Sequence, residues 1–239
     1  MKTILISGGE GEFAKELQKC NTKYKILAPT KDRMDVTDIH ALIDFLETEK
    51  PNYFIHAGAL TRPMVIHEDN PLESIQTNII GTANVVQCCI KYKVKLIYLS
   101  TDYVYPGTDG NYNEEDYLKP FTKYGWSKLG GECSVRLYDN HLILRMAMNK
   151  KPFPHSKALV DMKKSLMYID EAVKVVLQLL DENGTINIGG KSQSVYDFVR
   201  ETNPDVGKIS LKDIDDVNMA TDCSMNTTKM KRLLDDTTI

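Results

Sequence analysis

The chain has 239 residues, of which 42% are hydrophobic and 26% are charged, the balance of an ordinary globular protein. Thirty basic and 33 acidic residues give a formal net charge of −3. We therefore expect no nucleic-acid partner and no membrane partner, because both attract basic surfaces. No apolar stretch approaches the about 18 residues of a membrane span, the start does not resemble a signal peptide, and the five cysteines show no C-x-x-C spacing. These features predict a cytoplasmic protein with reduced thiols, and the scattered histidines predict no metal site.

Strands and helices alternate along the first 145 residues. Short apolar runs rich in β-branched residues predict the strands, and helical spacing of apolar residues predicts the segments between them. The strands are expected at 3–7, 25–28, 53–56, 95–100 and 141–145, and the helices at 12–19, 38–46, 72–92 and about 120–138. Asp38 is expected to cap the second helix and Pro51 to end it. This alternation predicts right-handed crossovers and a parallel sheet covered on both faces.

The pattern is weaker after residue 145. Residues 149–164, with two prolines and five lysines, are expected to form a loop. Further elements are expected at 170–180, a helix capped by Asp170 and terminated by Gly184, and at 185–189, 194–201 and 227–234. The predicted fold is therefore α/β, a doubly wound parallel sheet (Rossmann-like) in residues 1–145 with a small C-terminal α/β substrate lobe in residues 146–239, interleaved with it in space. Ligands of such sheets bind beyond the carboxyl ends of the strands.

A glycine cluster follows the first predicted strand. In ISGGEGEFA, Gly8, Gly11 and Ala14 have G-x-x-G-x-x-A spacing. Gly8 would allow a tight turn, Gly11 would let the backbone approach a pyrophosphate, and Ala14 would let the helix pack closely on the strand. A simple glycine turn would show the same letters, but the position between strand and helix favours dinucleotide binding.

The end of the second strand bears on the choice of cofactor. A site for NAD usually has an acid about 20 residues after the first glycine, but here that position is Ala28 and the first acid is Asp32. Lys31 and Arg33 could meet a 2′-phosphate. The cofactor is thus expected to be NADP or NAD, with a lean toward NADPH, although a solvated turn explains the same charges equally well.

Tyr124 and Lys128 lie four residues apart on a predicted helix, so their side chains share a face. A nearby ammonium favours the phenolate and lowers the tyrosine pKa from about 10. Such a tyrosine can protonate a carbonyl oxygen as hydride reaches the carbon. Ser100 and Thr101 end the fourth strand, where Thr101 could bind a substrate oxygen or where both could merely begin a turn.

Six stretches occur in a familiar order, namely SGGEGEFAKEL, MDVTD, PNYFIHAGALT, NIIGTANVV, LIYLSTDYVYPG and KPFTKYGWSKLGGE. Together they resemble the extended short-chain dehydrogenase/reductase superfamily, and within it most closely the dTDP-4-dehydrorhamnose reductase branch. The resemblance covers residues 1–145. It implies NAD(P)H-dependent reduction of a keto-deoxysugar nucleotide, and therefore a nucleotide-sugar substrate as the binding partner.

The resemblance also implies roles for individual residues. Tyr124 would be the general acid, Lys128 would hold the nicotinamide ribose and lower the tyrosine pKa, and Thr101 would be the third catalytic residue. The cofactor would contact, besides Tyr124 and Lys128, the residues Gly8, Glu10, Gly11, Glu12, Phe13, Asp35, Val36, Ala57, Gly58, Ala59, Thr61 and Ser100. The substrate would contact Thr101, Asp102, Tyr103 and Arg145. Asn78 would be a structural tie rather than a catalytic residue.

Two departures from the family pattern leave alternatives open. His56 stands where the family usually has Asn or Val, either as a harmless replacement or as an altered cofactor wall. Residues 149–164 replace a longer nucleotide-gripping segment, and Lys150, Lys151 and Lys157 there could bind a diphosphate or form a solvated loop. The same machinery could instead serve an epimerase or dehydratase that retains NAD. The branch also contains the regulatory subunit of methionine adenosyltransferase, so a non-catalytic subunit is a further alternative.

A homodimer is a further expectation. In the superfamily, the helices that correspond to residues 72–92 and to the Tyr124 helix often pack into a dimeric four-helix bundle. The apolar residues Ile75, Ile79 and Val86 could face such a partner or could simply face the sheet.

Overall fold

The computed structural model describes residues 1–214 and 219–236. The strands are β1 Thr3–Ser7, β2 Lys25–Leu27, β3 Tyr53–His56, β4 Lys95–Thr101, β5 His141–Met146, β6 Met148–Asn149, β7 Lys157–Leu159, β8 Lys163–Lys164, β9 Met167–Tyr168, β10 Gly184–Ile188, β11 Gln193–Ser194 and β12 Gly207–Ile209. In this part of the chain, six strands form the central sheet in the order β2-β1-β3-β4-β5-β10, with every neighbouring pair parallel. The predicted α/β fold with a parallel sheet is confirmed.

The helices cover both faces of this sheet. They are α1 Glu12–Lys19, α2 Ile39–Glu49, α3 Val65–Asp69, α4 Pro71–Ser74, α5 Gly81–Tyr92, α6 Lys123–Val135, α7 Ile169–Gln178, α8 Val195–Arg200 and α9 Thr228–Asp236. A π-helical segment, Ile75–Ile80, joins α4 to α5, so the helix predicted over 72–92 is continuous but locally widened. The Asp38 side chain accepts hydrogen bonds from the backbone N–H groups of His40 and Ala41, which confirms it as the cap of α2.

The core lies in two layers because the inner strands are buried on both faces. On one face, Ile4 and Ile6 of β1 pack against α1 and α7 through Leu17 and Val173. On the other face, Leu5 packs with residues of α2 and α5. Alternate residues of one strand thus contact opposite helical layers, which explains the unbroken apolar runs seen in the sequence.

The segment after residue 145 differs from its prediction in two ways. Residues 149–164 are not a single loop, because β7 pairs with β12 and β8 with β11. Strands of two or three residues with distant partners leave no periodic signal. In addition, α7 begins at Ile169 with Tyr168 as its N-cap, so Asp170 lies in the first turn, where it favours the helix dipole.

The C-terminal residues return to the central sheet. The strand β10 pairs with β5 over Gly184–Ile188, and α9 packs against β10. The division of the chain at residue 145 remains a prediction, and residues 215–218 and 237–239 of the predicted lobe lie outside the described residues. Within the described ranges, no helix is long and apolar enough to cross a membrane, and no cluster of His, Cys, Asp or Glu could hold a metal ion.

Candidate active site

The turn between β1 and α1 is built from glycines. Gly8 has a φ of 70°, and its carbonyl oxygen accepts a hydrogen bond from the N–H of Gly11 at 2.8 Å. Gly11 is the N-cap of α1 and has no side chain to cap the helix, so the first N–H groups of α1 are open to an anion. A Cβ on Gly9 would lie 2.4 Å from the carbonyl oxygen of Ala28. Gly9 is therefore required by close packing against the end of β2, a requirement that the G-x-x-G spacing did not reveal.

The residues expected near a pyrophosphate have different surroundings. Phe13 is buried in the core, Glu10 is exposed, and Glu12 is half-exposed in the first turn of α1. The Glu12 carboxylate lies 3.1 Å from Lys150 Nζ, and the hydrogen bond from Lys150 lowers the pKa of Glu12. Lys150 and Lys151 line a cavity of about 560 Å³ beside Glu12.

A smaller cavity of about 220 Å³ lies at the carboxyl ends of β1 and β3. It is lined by Gly8, Asp35, Val36, Gly58 and Ala59, all of them expected cofactor contacts, together with Lys31 and neighbouring apolar residues. Burial raises the pKa of Asp35, but hydrogen bonds from the backbone and hydroxyl of Thr37 and the nearby Lys31 outweigh it, so the pKa is lowered overall.

His56 supports the wall of this smaller cavity through a hydrogen-bonded chain. The Thr82 hydroxyl donates to the Asn78 carbonyl oxygen, so its oxygen accepts from His56 Nε2 at 3.0 Å. The Nδ1 atom then accepts from the Ser7 hydroxyl at 2.7 Å, and Ser7 Oγ accepts from the N–H of Gly58. Burial lowers the pKa of His56 to about 3, which keeps the ring neutral in this chain of bonds.

A third cavity, of about 420 Å³, lies at the carboxyl end of β4. It is called the larger cavity because it exceeds the neighbouring one of about 220 Å³. Its lining contains six of the predicted site residues, namely Thr61, Ser100, Thr101, Asp102, Tyr103 and Tyr124. A short 3-10 helix, Asp102–Val104, follows β4 directly and turns Asp102 and Tyr103 toward α6. The two cavities are neighbours, because Ala59 and Leu60 line the smaller one and Thr61 lines the larger one.

Tyr124 reaches this cavity because of how α6 begins. The Thr122 hydroxyl caps the helix by accepting from the N–H of Gly125 at 3.0 Å. A Cβ on Gly125 would lie 2.4 Å from the carbonyl oxygen of Tyr103. The first turn of α6 therefore sits directly on the turn after β4, which brings the Tyr124 phenol beside Thr101.

Tyr124 and Lys128 are both buried, and their pKa values shift for different reasons. Burial raises the pKa of Tyr124, and the charge of Asp102 raises it further, while a hydrogen bond to Thr101 and the charge of Lys164 oppose both effects. Lys128 Nζ lies 4.1 Å from the ring centroid of Tyr98. Burial lowers the pKa of Lys128 to about 7, against the effect of Glu132. The lowering of the Tyr124 pKa by Lys128 stays a prediction.

Asn78 ties the cavity wall to α6. Its amide accepts from the N–H of Leu60 at 2.8 Å and donates to the Leu60 carbonyl and to Ser127 Oγ. The Ser127 hydroxyl in turn donates to the Tyr124 carbonyl oxygen. These bonds agree with the structural role expected for Asn78.

Arg145 does not fit the substrate-binding role expected from the resemblance. Its side chain is fully buried and makes a two-pronged ion pair with Glu132, with distances of 3.1 and 2.9 Å. The remaining guanidinium nitrogen donates to the Tyr105 hydroxyl and the Glu114 carbonyl oxygen. Ser100 also donates to Glu132, at 2.6 Å, although it lines the cavity. Arg145 therefore links β5 to α6 inside the protein.

Two charged residues of the site were missed by the sequence reasoning. Glu132 lies four residues after Lys128 on the same helical face, a spacing that could have suggested a partner for a buried cation. Lys164 lies in the segment expected to be a loop, 62 positions from its partner Asp102, so no local pattern could have indicated it.

A parallel doubly wound sheet with a glycine turn, and with cavities beyond the carboxyl ends of its strands, is typical of the Rossmann-like class of dinucleotide-binding proteins. The sequence comparison then identifies the family within it. The chain belongs to the family described as RmlD substrate binding domain, whose sequence model matches residues 1–162.

Individual relatives agree with this assignment. The chain is 30% identical over 150 residues to dTDP-4-dehydrorhamnose reductase of Aggregatibacter actinomycetemcomitans, covering 61% of this chain and 51% of that protein. It is also 30% identical over 143 residues to methionine adenosyltransferase 2 subunit beta of Rattus norvegicus, covering 56% of this chain and 42% of that protein. The match thus spans about half the length of these curated relatives.

A solved structure shows the same fold over nearly the whole chain. The dTDP-4-dehydrorhamnose reductase of Bacillus anthracis in complex with NADP has a TM-score of 0.88 at 23% identity, covering 97% of this chain and 93% of that one. At this identity the similarity shows a shared fold, and the chemistry must be argued from the residues of the site.

Proposed function

We propose that this chain is an NAD(P)H-dependent reductase of a keto-deoxysugar nucleotide. The observation that carries the proposal is the meeting of Thr101 and Tyr124 in one cavity, beside a second cavity that adjoins the glycine turn. The names of the relatives support the same reaction class, since two of them are dTDP-4-dehydrorhamnose reductases.

The chain offers a site that fits a dinucleotide. The N-terminus of α1 has no side-chain cap, Gly8 adopts a left-handed φ, and the adjoining cavity is lined by the Asp35 and Gly58 segments. These segments would hold the adenosine and pyrophosphate portions, and Lys128 would hold the nicotinamide ribose. Lys31, at the rim of the cavity, supports the lean toward NADPH. When bound, the cofactor would supply the hydride.

The roles of the catalytic side chains follow from their positions. Tyr124 would donate its proton to the oxygen of the keto group, and Thr101 would hydrogen-bond the same oxygen. Asp102 and Tyr103, which also line the cavity, would face the sugar. We assign residues 1–145 to cofactor binding and catalysis and residues 146–239 to the substrate side, with Lys164 and Met162 contributed to the cavity from that part.

Tyr124→Phe tests the proposal. General acid catalysis contributes about 100-fold or more, so turnover of a dTDP-4-keto-6-deoxysugar with NADPH should fall at least that far. Cofactor binding, measured by thermal shift, should be nearly unchanged. Tyr117→Phe is the matched control, because Tyr117 is exposed and outside the cavity. Undiminished turnover of the Tyr124 variant would refute the assignment.

A second candidate is a regulatory subunit without catalysis. It is favoured by the 30% identity to methionine adenosyltransferase 2 subunit beta. It predicts cofactor binding without reduction of any 4-keto sugar nucleotide, together with a stable complex with a methionine adenosyltransferase catalytic chain in a pull-down. The presence of Thr101 and Tyr124 in one cavity favours the reductase.

We also propose a homodimer through the α4–α6 face. Leu72, Ile75 and Trp126 are 60, 42 and 54% exposed there, whereas Val86 is buried in the core and Ile79 packs on Gly130. Exposed apolar residues clustered on one face are typical of an interface. Light scattering at two concentrations would detect the dimer, and a constant monomer mass would exclude it.

A further inference from the structure

Lys164 brings a positive charge from the C-terminal part of the chain into the larger cavity. It lies on β8, opposite Gln193 of β11, and the backbone of its neighbour Lys163 bonds to Thr221 and Cys223. Its side chain is only 11% exposed and lines the cavity together with Tyr124. A lysine this far buried requires a partner.

That partner is Asp102. Lys164 Nζ lies 2.8 Å from Asp102 Oδ2 and 4.1 Å from the centroid of the Tyr103 ring. Asp102 is 2% exposed, and its other oxygen accepts a hydrogen bond from the Thr101 hydroxyl at 3.1 Å. The carboxylate therefore stands between the lysine and the Thr101–Tyr124 pair.

Tyr124 is surrounded by groups from several elements. Those that face it are Thr101 of β4, Asp102 and Tyr103 of the turn after β4, His67 of α3, whose ring centroid is 5.1 Å away, and Lys164 of β8. Burial lowers the pKa of His67 and raises the pKa of the nearby Cys223 thiol, so burial favours the neutral form of both groups. Arg62 also lines the cavity, and Lys128 lies one helical turn from Tyr124. Asp102 raises the pKa of the Tyr124 phenol and Lys164 lowers it, so these two charges act in opposite directions.

We propose that Lys164 is a positioning residue that neutralises Asp102 and thereby allows Tyr124 to release its proton during the reaction. The resemblance implies that Lys128 also lowers the pKa of Tyr124, and Lys164 would act beside it. For its catalytic consequence, the inference rests on the proposed function. In that reaction a bound reduced nicotinamide would supply hydride to the keto carbon and be oxidised, and the Tyr124 proton would pass to the keto oxygen. An unpaired Asp102 carboxylate would destabilise the Tyr124 phenolate that remains. The positive charge of Lys164 offsets that repulsion.

The sign of the effect can be predicted. In Lys164→Met, Asp102 loses its counter-charge, and a negative neighbour disfavours a second negative group. The pKa of Tyr124 should therefore rise by about one unit or more. Turnover should fall, and the alkaline limb of the reduction rate should move to higher pH. Lys164→Arg should retain most of the wild-type behaviour, since it keeps the charge.

The direct test needs no substrate. A fluorinated, more acidic tyrosine at position 124 brings the phenol titration into the range where the protein is folded, and ¹⁹F NMR follows it. The variants compared are Lys164→Met, Lys164→Met with Asp102→Asn, and the matched control Lys163→Met, whose side chain is exposed and outside the cavity. The first should titrate at higher pH than the control, and the double variant should return toward the wild-type midpoint.

The outcomes separate this inference from the proposed function. An unchanged midpoint in Lys164→Met, or no recovery in the double variant, overturns the role of Lys164 even if the protein reduces sugar nucleotides. A raised midpoint that recovers with Asp102→Asn supports the role even if no tested sugar nucleotide is reduced, in which case only the proposed substrate fails. Thermal unfolding of each variant verifies that the titrated protein is folded.

Discussion

Replacing Glu132 by glutamine should destabilise the protein strongly, because the buried guanidinium of Arg145 would lose its only carboxylate partner among the described residues. Both side chains are fully buried, and two nitrogens of Arg145 contact the two carboxylate oxygens at 3.1 and 2.9 Å. Burial alone would lower the pKa of Arg145, but the hydrogen bonds and the charge of Glu132 raise it. The arginine stays charged when its partner is removed, because a guanidinium is effectively always protonated in proteins.

The size of the effect follows from this geometry. Breaking a buried pair while leaving one charge behind costs about 3–5 kcal/mol. For a chain of this length, one kcal/mol corresponds to roughly 2–4 °C in Tm, so Glu132→Gln should lower the Tm by roughly 6–20 °C. Glu49→Gln is the matched control, because Glu49 pairs with Lys25 at 3.2 Å at the surface. That change should cost only about 0.2–1 kcal/mol.

The assay is thermal and urea unfolding of the two single variants and of Glu132→Leu combined with Arg145→Met. Replacing both charges by apolar groups removes the unpaired ion, so the double variant should be more stable than Glu132→Gln. A loss in Glu132→Gln no larger than in Glu49→Gln would refute the reasoning. An Arg145→Met variant that has normal stability but binds substrate poorly would also refute the reasoning, because that result would indicate a substrate-binding role for Arg145.

Two further outcomes test the packing around the cofactor-side cavity. Gly9→Ala should lower the free energy of unfolding by about 2 kcal/mol or more and weaken cofactor binding, since its Cβ would meet the Ala28 carbonyl oxygen at 2.4 Å. Gly184→Ala is the control, because Gly184 has open space around it but a φ of 84°, and it should cost only about 1–2 kcal/mol. Equal losses of stability in the two variants would contradict the steric argument. Because the pKa of His56 falls from 6.5 to about 3 on folding, the unfolded chain binds a proton below about pH 6.5 that the folded chain does not, and the free energy of unfolding should decrease as the pH drops. Urea unfolding at about pH 7 and about pH 5 should show a smaller decrease for His56→Gln than for wild type, and identical decreases would exclude His56 as the source.

Much of the fold could be predicted from local pattern. The strands β1, β3 and β5 and the helices α1 and α2 occur where apolar runs, helical spacing and the Asp38 cap predict them. The short strands β7 and β8 could not be predicted, because each is defined by backbone partners from residues about 30 or more positions later. The cap of α7 was misplaced by two residues, since an aspartate in the first turn and one at the cap look alike in sequence.

The candidate site could likewise be predicted only in part. Thr101 and Tyr124 could be proposed from sequence because each follows a recognisable local feature, the end of a strand and the start of a helix. The roles of Arg145 and Lys164 could not be proposed, because the sequence does not show whether a charged side chain contacts solvent, substrate or a buried carboxylate. Their partners, Glu132 and Asp102, are brought to them only when α6 and β8 pack against the sheet.

The sequence by itself determined the order of strands and helices, the parallel sheet and the edge at which the two cavities lie, because these depend on periodicity and on the handedness of local connections. Only the tertiary structure decided which charges pair. Electrostatic interaction depends on distance and burial, not on separation along the chain. For this reason Lys164, forty positions from Tyr124 in the sequence, pairs with Asp102 in the cavity that Tyr124 lines, whereas Lys128, one helical turn from Tyr124, lies over the Tyr98 ring.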